Sequence, residues 1–164
     1  ASLAQRLVKA RNHGLRSRDE CEAWGVNSRL DTLQAAILNA KLPHLEEWIA
    51  ERRAVAGFYR AQLAGVVRVP EERPHEFCVY QTFVVQAERR DELQRHLARR
   101  GIETMVHYRI PLHLQEAARG LGYRGGGFPV AERLARTILS LPIWPGLGRA
   151  EQEATVDAIR GFYG

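Results

Sequence analysis

The sequence predicts an α+β protein in which a helical segment, residues 1–64, precedes a small α/β domain, residues 65–164. Apolar side chains recur at helical spacing through the first segment. From Gly65 onward, runs of β-branched and aromatic residues alternate with further helical stretches, an order that predicts a small sheet covered on one face by helices. With 164 residues, 45% of them hydrophobic, the chain is large enough for one core of ordinary size.

Three helices are expected in the first segment. Apolar residues three and four positions apart predict a helix over residues 2–12, and Gly14 is expected to end it. A second amphipathic pattern begins at Leu30 and is interrupted by Pro43. Because proline is tolerated at the first helical position, a third helix is expected to restart there and to continue to residue 63. Paired helices of this kind are typical of a brace between two domains or of a subunit contact.

The second segment is predicted to contain four strands and three helices. β-branched and aromatic residues place the strands at residues 66–70, 77–85, 102–108 and 137–142. Helical patterns are found over residues 89–100, after Pro129 and over residues 150–162. The run Gly125–Gly127 is interpreted as a flexible loop, and Glu132 as a first-turn residue stabilised by the helix dipole.

Composition excludes several classes of function. No apolar run approaches the roughly 20 residues that cross a bilayer, and the first residues lack a signal peptide, so we expect a cytoplasmic protein. Cys21 and Cys78 are far apart and belong to no metal-binding pattern, so no metal is expected. The net charge of +5 comes from arginines that alternate with acidic residues, which argues against nucleic-acid binding, including by the basic stretch Arg6–Arg18.

A polar cluster at the end of a predicted strand is the main candidate for chemistry. It contains His107, Tyr108, Arg109 and His113. Strand ends commonly present functional side chains, and these residue types exchange protons or bind hydroxyls and phosphates. The alternative is structural: a histidine satisfied by a backbone carbonyl and a half-packed tyrosine.

A second candidate precedes the helix that begins near Leu30. Asn27 and Arg29 offer amide and guanidinium donors close to a helix N-terminus, which suits an anion such as phosphate. The alternative is that Asn27 or Ser28 only caps the helix. The residues alone favour the cap.

Three segments, taken in order, resemble the DegT/StrS aminotransferases. They are Arg-Asn-His-Gly at residues 11–14, Gly-Val-Asn-Ser-Arg-Leu-Asp-Thr-Leu-Gln-Ala-Ala-Ile-Leu at 25–38, and Gly-Ile-Glu-Thr-Met-Val-His-Tyr-Arg-Ile-Pro-Leu-His at 101–113. Residues 122–132 and 139–142 continue the pattern, so the resemblance spans nearly the whole chain.

The resemblance implies the small C-terminal domain of a fold-type-I aminotransferase that uses pyridoxal 5'-phosphate (PLP), together with its bracing helices. Family members transfer an amino group, usually from glutamate, to a nucleotide-linked keto sugar, and typically form homodimers with active sites at the interface. By this resemblance Asn27 contacts the PLP phosphate of the partner subunit, and Arg29 is a weaker candidate for the same site. His107 and Tyr108 would lie near the sugar nucleotide, and the role of His113 stays open.

The lysine that carries PLP in this family has no counterpart in the sequence. Family members have it upstream of the Arg-Asn-His-Gly segment, and neither Lys9 nor Lys41 has the family's surrounding residues. Because transamination needs this amine, we assign no catalytic residue and expect the chain alone to be inactive. Amino-sugar biosynthesis is the expected function of the parent enzyme. The alternative is a stand-alone, non-catalytic module or pseudoenzyme that assembles with a separate N-terminal half.

Overall fold

The computed structural model describes residues 2–164, which divide into two compact units, one up to Leu45 and one over Glu46–Gly164. The helices are α1 (Leu3–Ala10), α2 (Thr32–Lys41), α3 (Leu45–Leu63), α4 (Arg90–Ala98), α5 (Pro129–Thr137) and α6 (Arg149–Tyr163). Two strands, β1 (Phe83–Gln86) and β2 (Ile138–Leu141), form the sheet, and short 3₁₀ turns cover Leu42–His44, Leu112–Leu114 and Glu116–Leu121. The α+β prediction is confirmed, while the division near residue 64 stays a prediction.

The first unit consists of α1, a long loop and α2. A capping box starts α1: the Ser2 hydroxyl accepts from the Gln5 N–H at 3.3 Å, and the Gln5 side chain accepts from the Ser2 N–H at 2.9 Å. Pro43 lies in the 3₁₀ turn, and α3 restarts directly after it, as its proline predicts. Every helix in residues 2–164 is too short or too polar to span a bilayer.

The sheet of the second unit is smaller than predicted. β1 and β2 pair antiparallel, with Phe83 opposite Leu141 and Val85 opposite Leu139. The predicted strands over 66–70 and 102–108 are wrong, because each contributes only one bridge residue, Arg68 beside β1 and Met105 beside β2. The first cannot extend far, since Pro70 has no N–H to donate to a ladder.

Residues 77–82 are not a strand, because side chains of α3 take up their backbone groups. One terminal nitrogen of Arg52 donates to the carbonyls of Tyr80 at 3.1 Å and Gln81 at 3.2 Å, and also to that of Ile143 at 3.1 Å. Tyr80 has a positive φ of 47°, which ends any extended run. Arginine presents several donors in a fixed plane and therefore replaces sheet hydrogen bonds here.

Glu72 binds the same segment to α3. Its carboxylate accepts from Arg53 at 2.6 Å, from the Cys78 N–H at 2.7 Å and from the Tyr80 hydroxyl at 3.1 Å. The hydrogen bonds from Arg53 and Cys78 outweigh the effect of burial and lower the pKa of Glu72 to about 2.

The core of the second unit is formed by one sheet face and three helices. Phe83 and Leu139 on this face are fully buried, as are Tyr59 of α3, Leu97 of α4 and Ile159 of α6. The rings of Tyr59 and Phe83 lie 5.4 Å apart, and the Tyr59 hydroxyl donates to the Pro142 carbonyl at 3.1 Å. The sheet and α3 are therefore joined in one core.

Candidate functional site

A groove of about 560 Å³ lies beside Asn27 in the first unit. Its walls come from the chain preceding α2 and from the first turns of α2. The lining residues are Arg11, Asn27, Ser28, Arg29, Leu30, Asp31, Gln34, Ile37 and Leu38.

Backbone pairing with the end of α1 holds Asn27 in this groove. Asn12 and Asn27 form an antiparallel bridge. Next to it, the Ser28 N–H donates to the Arg11 carbonyl at 2.8 Å, and Arg11 Nε donates to the Ser28 carbonyl at 2.8 Å. The Arg-Asn-His-Gly segment thus builds the support for the residues around Asn27.

Gly14 closes this supporting loop and can be no other residue without rearrangement. It is buried with a left-handed φ of +72°, and a Cβ there would lie 1.6 Å from the Ala23 carbonyl oxygen. Its own carbonyl accepts from the Glu22 N–H at 3.0 Å. The expectation that Gly14 merely ends α1 therefore understates its part in the loop.

The donors in the groove differ in how far they are already engaged. No hydrogen bond of the Asn27 side-chain amide is found within residues 2–164, whereas Arg29 donates to the Asn12 side chain at 3.2 Å and pairs with Asp31 at 3.5 Å. Asp31 is the N-cap of α2, so the alternative in which Asn27 or Ser28 caps this helix is wrong. An exposed amide flanked by the guanidinium groups of Arg11 and Arg29 suits an anionic ligand. Arg11 was not predicted, although it stands in the Arg-Asn-His-Gly segment.

His107 and Tyr108 lie together in the second unit, with their rings perpendicular and 5.5 Å apart. His107 Nδ1 lies 2.9 Å from the hydroxyl of buried Ser140 on β2. Tyr108 is 73% exposed. Neither half of the structural alternative holds, since the histidine binds a side-chain hydroxyl and the tyrosine is not packed half-in.

Arg109, next in the chain, points to α4. Its guanidinium contacts the Asp91 carboxylate at 3.1 Å and the Gln94 side-chain oxygen at 2.6 Å. Burial opposes ionisation of Asp91, but hydrogen bonds from Arg109 and Arg90 outweigh it and lower the pKa of Asp91. The geometry therefore gives Arg109 a structural partner and leaves Tyr108 as the exposed polar group of the turn.

His113 and Glu132 form a pair that was not predicted. Their side chains are 7% and 14% exposed, and His113 Nε2 lies 3.0 Å from Glu132 Oε1. The same oxygen accepts from the Gly126 N–H at 2.8 Å and weakly from the Phe128 N–H at 3.4 Å. Burial opposes ionisation of Glu132, but the hydrogen bonds from Gly126 and His113 prevail and lower its pKa. Glu132 is thus more than a first-turn residue, because it also binds Gly126 of the loop; the flexibility of Gly125–Gly127 stays a prediction.

His113 and Phe128 line an apolar cavity of about 560 Å³, while Glu132 and Gly126 lie behind its lining. His107 and Tyr108 also line it. Its remaining lining residues are Ile110, Pro111, Leu112, Gln115, Ala118, Leu121, Tyr123, Ala131, Leu134, Ala135 and Ile138. His107 also lines a second cavity, of about 610 Å³, on the side of Met105 and Trp144.

Residues 1–160 match the DegT/DnrJ/EryC1/StrS aminotransferase family. The chain belongs to this family. It is 44% identical to the dTDP-3-amino-3,4,6-trideoxy-alpha-D-glucose transaminase of Streptomyces venezuelae. The match covers 96% of this chain and 42% of that protein. It is 37% identical to the dTDP-3-amino-3,6-dideoxy-alpha-D-galactopyranose transaminase of Aneurinibacillus thermoaerophilus. That match covers 99% of this chain and 44% of that protein.

The fold is also that of solved aminotransferases of this family. The chain superposes on the crystal structure of S. venezuelae DesV with a TM-score of 0.86 and 43% identity, covering 98% of this chain and 44% of DesV. It therefore spans less than half the length of the relatives it matches.

Within this DegT/DnrJ/EryC1/StrS chain, the predicted site residues fall into two pairs. Asn27 and Arg29 share the groove of the first unit, and His107 and Tyr108 share the cavity of the second. Of the lysines, Lys9 forms an ion pair with Glu22, and Lys41 is exposed in the last turn of α2.

Proposed function

We propose that this chain is part of a PLP-dependent aminotransferase that transfers the amino group of glutamate to a nucleotide-linked keto sugar. The family match over residues 1–160 carries the proposal. Relatives that are 44% and 37% identical are named as transaminases of dTDP-linked amino sugars, which supports a nucleotide sugar as the substrate class.

Asn27 is proposed to bind the phosphate group of PLP, with Arg29 contributing to the same anionic site. The free Asn27 amide has N–H donors for phosphate oxygens, and Arg29 adds positive charge although it already contacts Asn12. Arg11, which lines the groove, adds a second guanidinium. In the proposed homodimer this groove serves the active site of the partner subunit.

The residues of the groove fit the phosphate of the cofactor but do not supply an amine. When bound, PLP supplies an electron sink for the carbon atom that gains or loses the amino group. Lys9 is paired with Glu22, and Lys41 lies at the end of α2, so neither is assigned to this chemistry. The lysine is expected to come from another part of the assembly. The role of this chain at the cofactor is to bind and orient its phosphate.

His107 and Tyr108 are proposed to contact the sugar nucleotide. The Ser140 hydroxyl holds His107 through Nδ1, which leaves Nε2 to face a ligand. The exposed Tyr108 hydroxyl both donates and accepts hydrogen bonds, as recognition of sugar hydroxyls or phosphates requires. A cytoplasmic location is proposed as well, in keeping with two exposed free cysteines, Cys21 and Cys78.

The test uses the full-length protein that contains this chain. It is incubated with PLP, glutamate and a panel of nucleotide-linked keto sugars, and 2-oxoglutarate is measured by a coupled assay. We expect turnover with at least one sugar, and twice the subunit mass by light scattering. Absence of 2-oxoglutarate with every sugar would contradict the proposed activity.

Asn27→Ala tests the phosphate site, with Asn39→Ala on the exposed surface of α2 as the matched control. Loss of hydrogen bonds to a charged group is expected to weaken PLP binding about tenfold or more in the first variant only. The dissociation constant is measured by absorbance titration of the apoprotein. Equal affinities in the two variants would remove Asn27 from the phosphate site.

The alternative arrangement is a non-catalytic module that pairs with a separately encoded half. A pull-down from the native host with the tagged chain distinguishes the two. Co-purification of a distinct polypeptide that carries the family lysine supports this arrangement, and a single reading frame that encodes both parts excludes it.

A further inference from the structure

We propose that Glu132 is a positioning residue that sets the sugar-nucleotide cavity by holding the loop at residues 122–128 and, through His113, the turn that presents Tyr108. The inference rests on the proposed function of this cavity. It assigns a role to a buried carboxylate that lies outside the predicted set of site residues.

One oxygen of Glu132 receives three donors from two segments. Oε1 accepts from the Gly126 N–H at 2.8 Å and from the Phe128 N–H at 3.4 Å, both in the loop, and it lies 3.0 Å from His113 Nε2. Because both side chains are largely buried, water does not readily replace these contacts. The loop and the turn are therefore tied to one point on the first turn of α5.

Aromatic contacts extend this tie across the cavity wall. The rings of His113 and Phe128 lie 4.7 Å apart, and those of Phe128 and Tyr123 lie 5.3 Å apart. All three rings line the cavity that also contains Tyr108. A shift of the Glu132 carboxylate would therefore move lining residues of the cavity to which Tyr108 belongs.

Tyr108 itself is held by its neighbours and not by its own side chain. His107 is tied to Ser140, Arg109 to Asp91 and Gln94, and His113 to Glu132. No hydrogen bond of the Tyr108 hydroxyl is found in the described part of the chain, and the side chain is 73% exposed. The hydrogen bonds of His107, Arg109 and His113 thus hold the turn, and the Tyr108 hydroxyl stays available to a ligand in the cavity.

Glu132 acts through geometry and not by proton transfer, because its engaged oxygen is already shared by three donors. The amide oxygen of glutamine accepts the same three hydrogen bonds in nearly the same place. Glu132→Gln should therefore preserve the site, whereas Glu132→Ala removes the acceptor. Glu153→Ala is the control, since the side chain of Glu153 in α6 is 54% exposed and pairs with Arg149 at 2.7 Å.

The kinetic arm compares these variants in the full-length enzyme. Glu132→Ala is expected to raise KM for the nucleotide sugar about tenfold, the effect of about one lost charge-assisted hydrogen bond, with KM for glutamate unchanged and kcat within about twofold. Glu132→Gln and Glu153→Ala should stay within about threefold of the parent enzyme. An equal loss of kcat/KM for glutamate and for the nucleotide sugar would overturn the positioning role. So would a failure of Glu132→Gln to restore KM for the nucleotide sugar.

The proteolytic arm reads the loop directly and needs no activity. Arg124 precedes Gly125 in the loop, so trypsin cleavage after Arg124 reports its opening. Glu132→Ala should be cleaved there about tenfold faster than the parent and than Glu153→Ala, and the probe dTDP should slow the cleavage in the parent. Unchanged cleavage would refute the anchoring. Faster cleavage with unchanged KM would show that the loop does not serve the substrate.

The two arms separate this proposal from the proposed function. If the parent enzyme shows no transamination, the aminotransferase proposal and the substrate role of Glu132 both fail, while the cleavage rates still decide whether Glu132 anchors the loop. If Glu132→Ala does not fold, His113→Ala takes its place, because it cuts the turn from Glu132 and loses one ring contact with Phe128 but leaves the hydrogen bonds from the Gly126 and Phe128 N–H groups to Glu132 in place. That variant should raise KM for the nucleotide sugar while cleavage after Arg124 stays near the parent rate, and an unchanged KM would overturn the proposal.

Discussion

Gly14→Ala should destabilise the loop that holds Asn27. The expected loss of local stability follows from two separate effects. The left-handed φ of +72° costs an alanine about 1–2 kcal/mol. The new methyl group would also lie 1.6 Å from the Ala23 carbonyl oxygen, so one of the two backbones must move by roughly 2 Å to reach ordinary contact. That shift breaks the hydrogen bond from the Glu22 N–H, worth about 0.5–1.5 kcal/mol.

The expected sum is about 1.5–3.5 kcal/mol of local stability. Hydrogen exchange followed by mass spectrometry measures it, because amides of residues 10–28 should exchange at least about tenfold faster. Gly65→Ala is the control: Gly65 has a φ of +80°, but a Cβ there meets nothing within 4 Å. It should show only the backbone term, about 1–2 kcal/mol, around residue 65. If Gly14→Ala exchanged no faster than the parent over residues 10–28, the close approach to Ala23 would not constrain the loop.

Two further predictions concern the second unit. Because the folded-state pKa of Glu72 is about 2 against its usual 4.5, its contribution to stability is fully present above pH 4.5 and is lost as pH falls toward 2. Glu72→Gln should therefore make the free energy of unfolding in urea less dependent on pH in this range. An unchanged pH dependence would contradict the lowered pKa of Glu72. Tyr59→Phe removes the hydrogen bond to the Pro142 carbonyl and should lower the free energy of unfolding by about 1 kcal/mol. The exposed Tyr123→Phe serves as its control and should leave stability within about 0.5 kcal/mol, so equal values for the two variants would deny the hydrogen bond a role.

The helices were predictable because their signals are local. The spacing of apolar residues, Pro43 and Pro129 place α1 to α6 within a few residues of their observed bounds. More strands were predicted than the sheet contains, because contacts with distant residues decide which segments pair. Residues 77–82 have the composition of a strand, but Arg52 and Glu72 bind their backbone groups from 6 to 29 positions away.

The site was predictable only in part, for a similar reason. Asn27, His107 and Tyr108 stand in recognisable segments, and the structure places each beside a cavity. The pairing of His113 with Glu132 joins residues 19 positions apart across a loop, and either residue alone has an ordinary explanation. The hydrogen bond from Arg109 to Asp91 of α4 could not be predicted from the sequence either. Because it occupies Arg109, Tyr108 is left as the exposed polar side chain of the turn.

The way Tyr108 is held bears on what the proposed sugar-nucleotide cavity recognises. The turn has its fixed points in the hydrogen bonds of His107, Arg109 and His113, and within the described residues the Tyr108 hydroxyl adds none. A substitution at position 108 is therefore expected to change what the cavity presents to a ligand more than it changes the frame around it. Under the proposed function, saturation mutagenesis at this position is a direct route to variants with altered sugar preference.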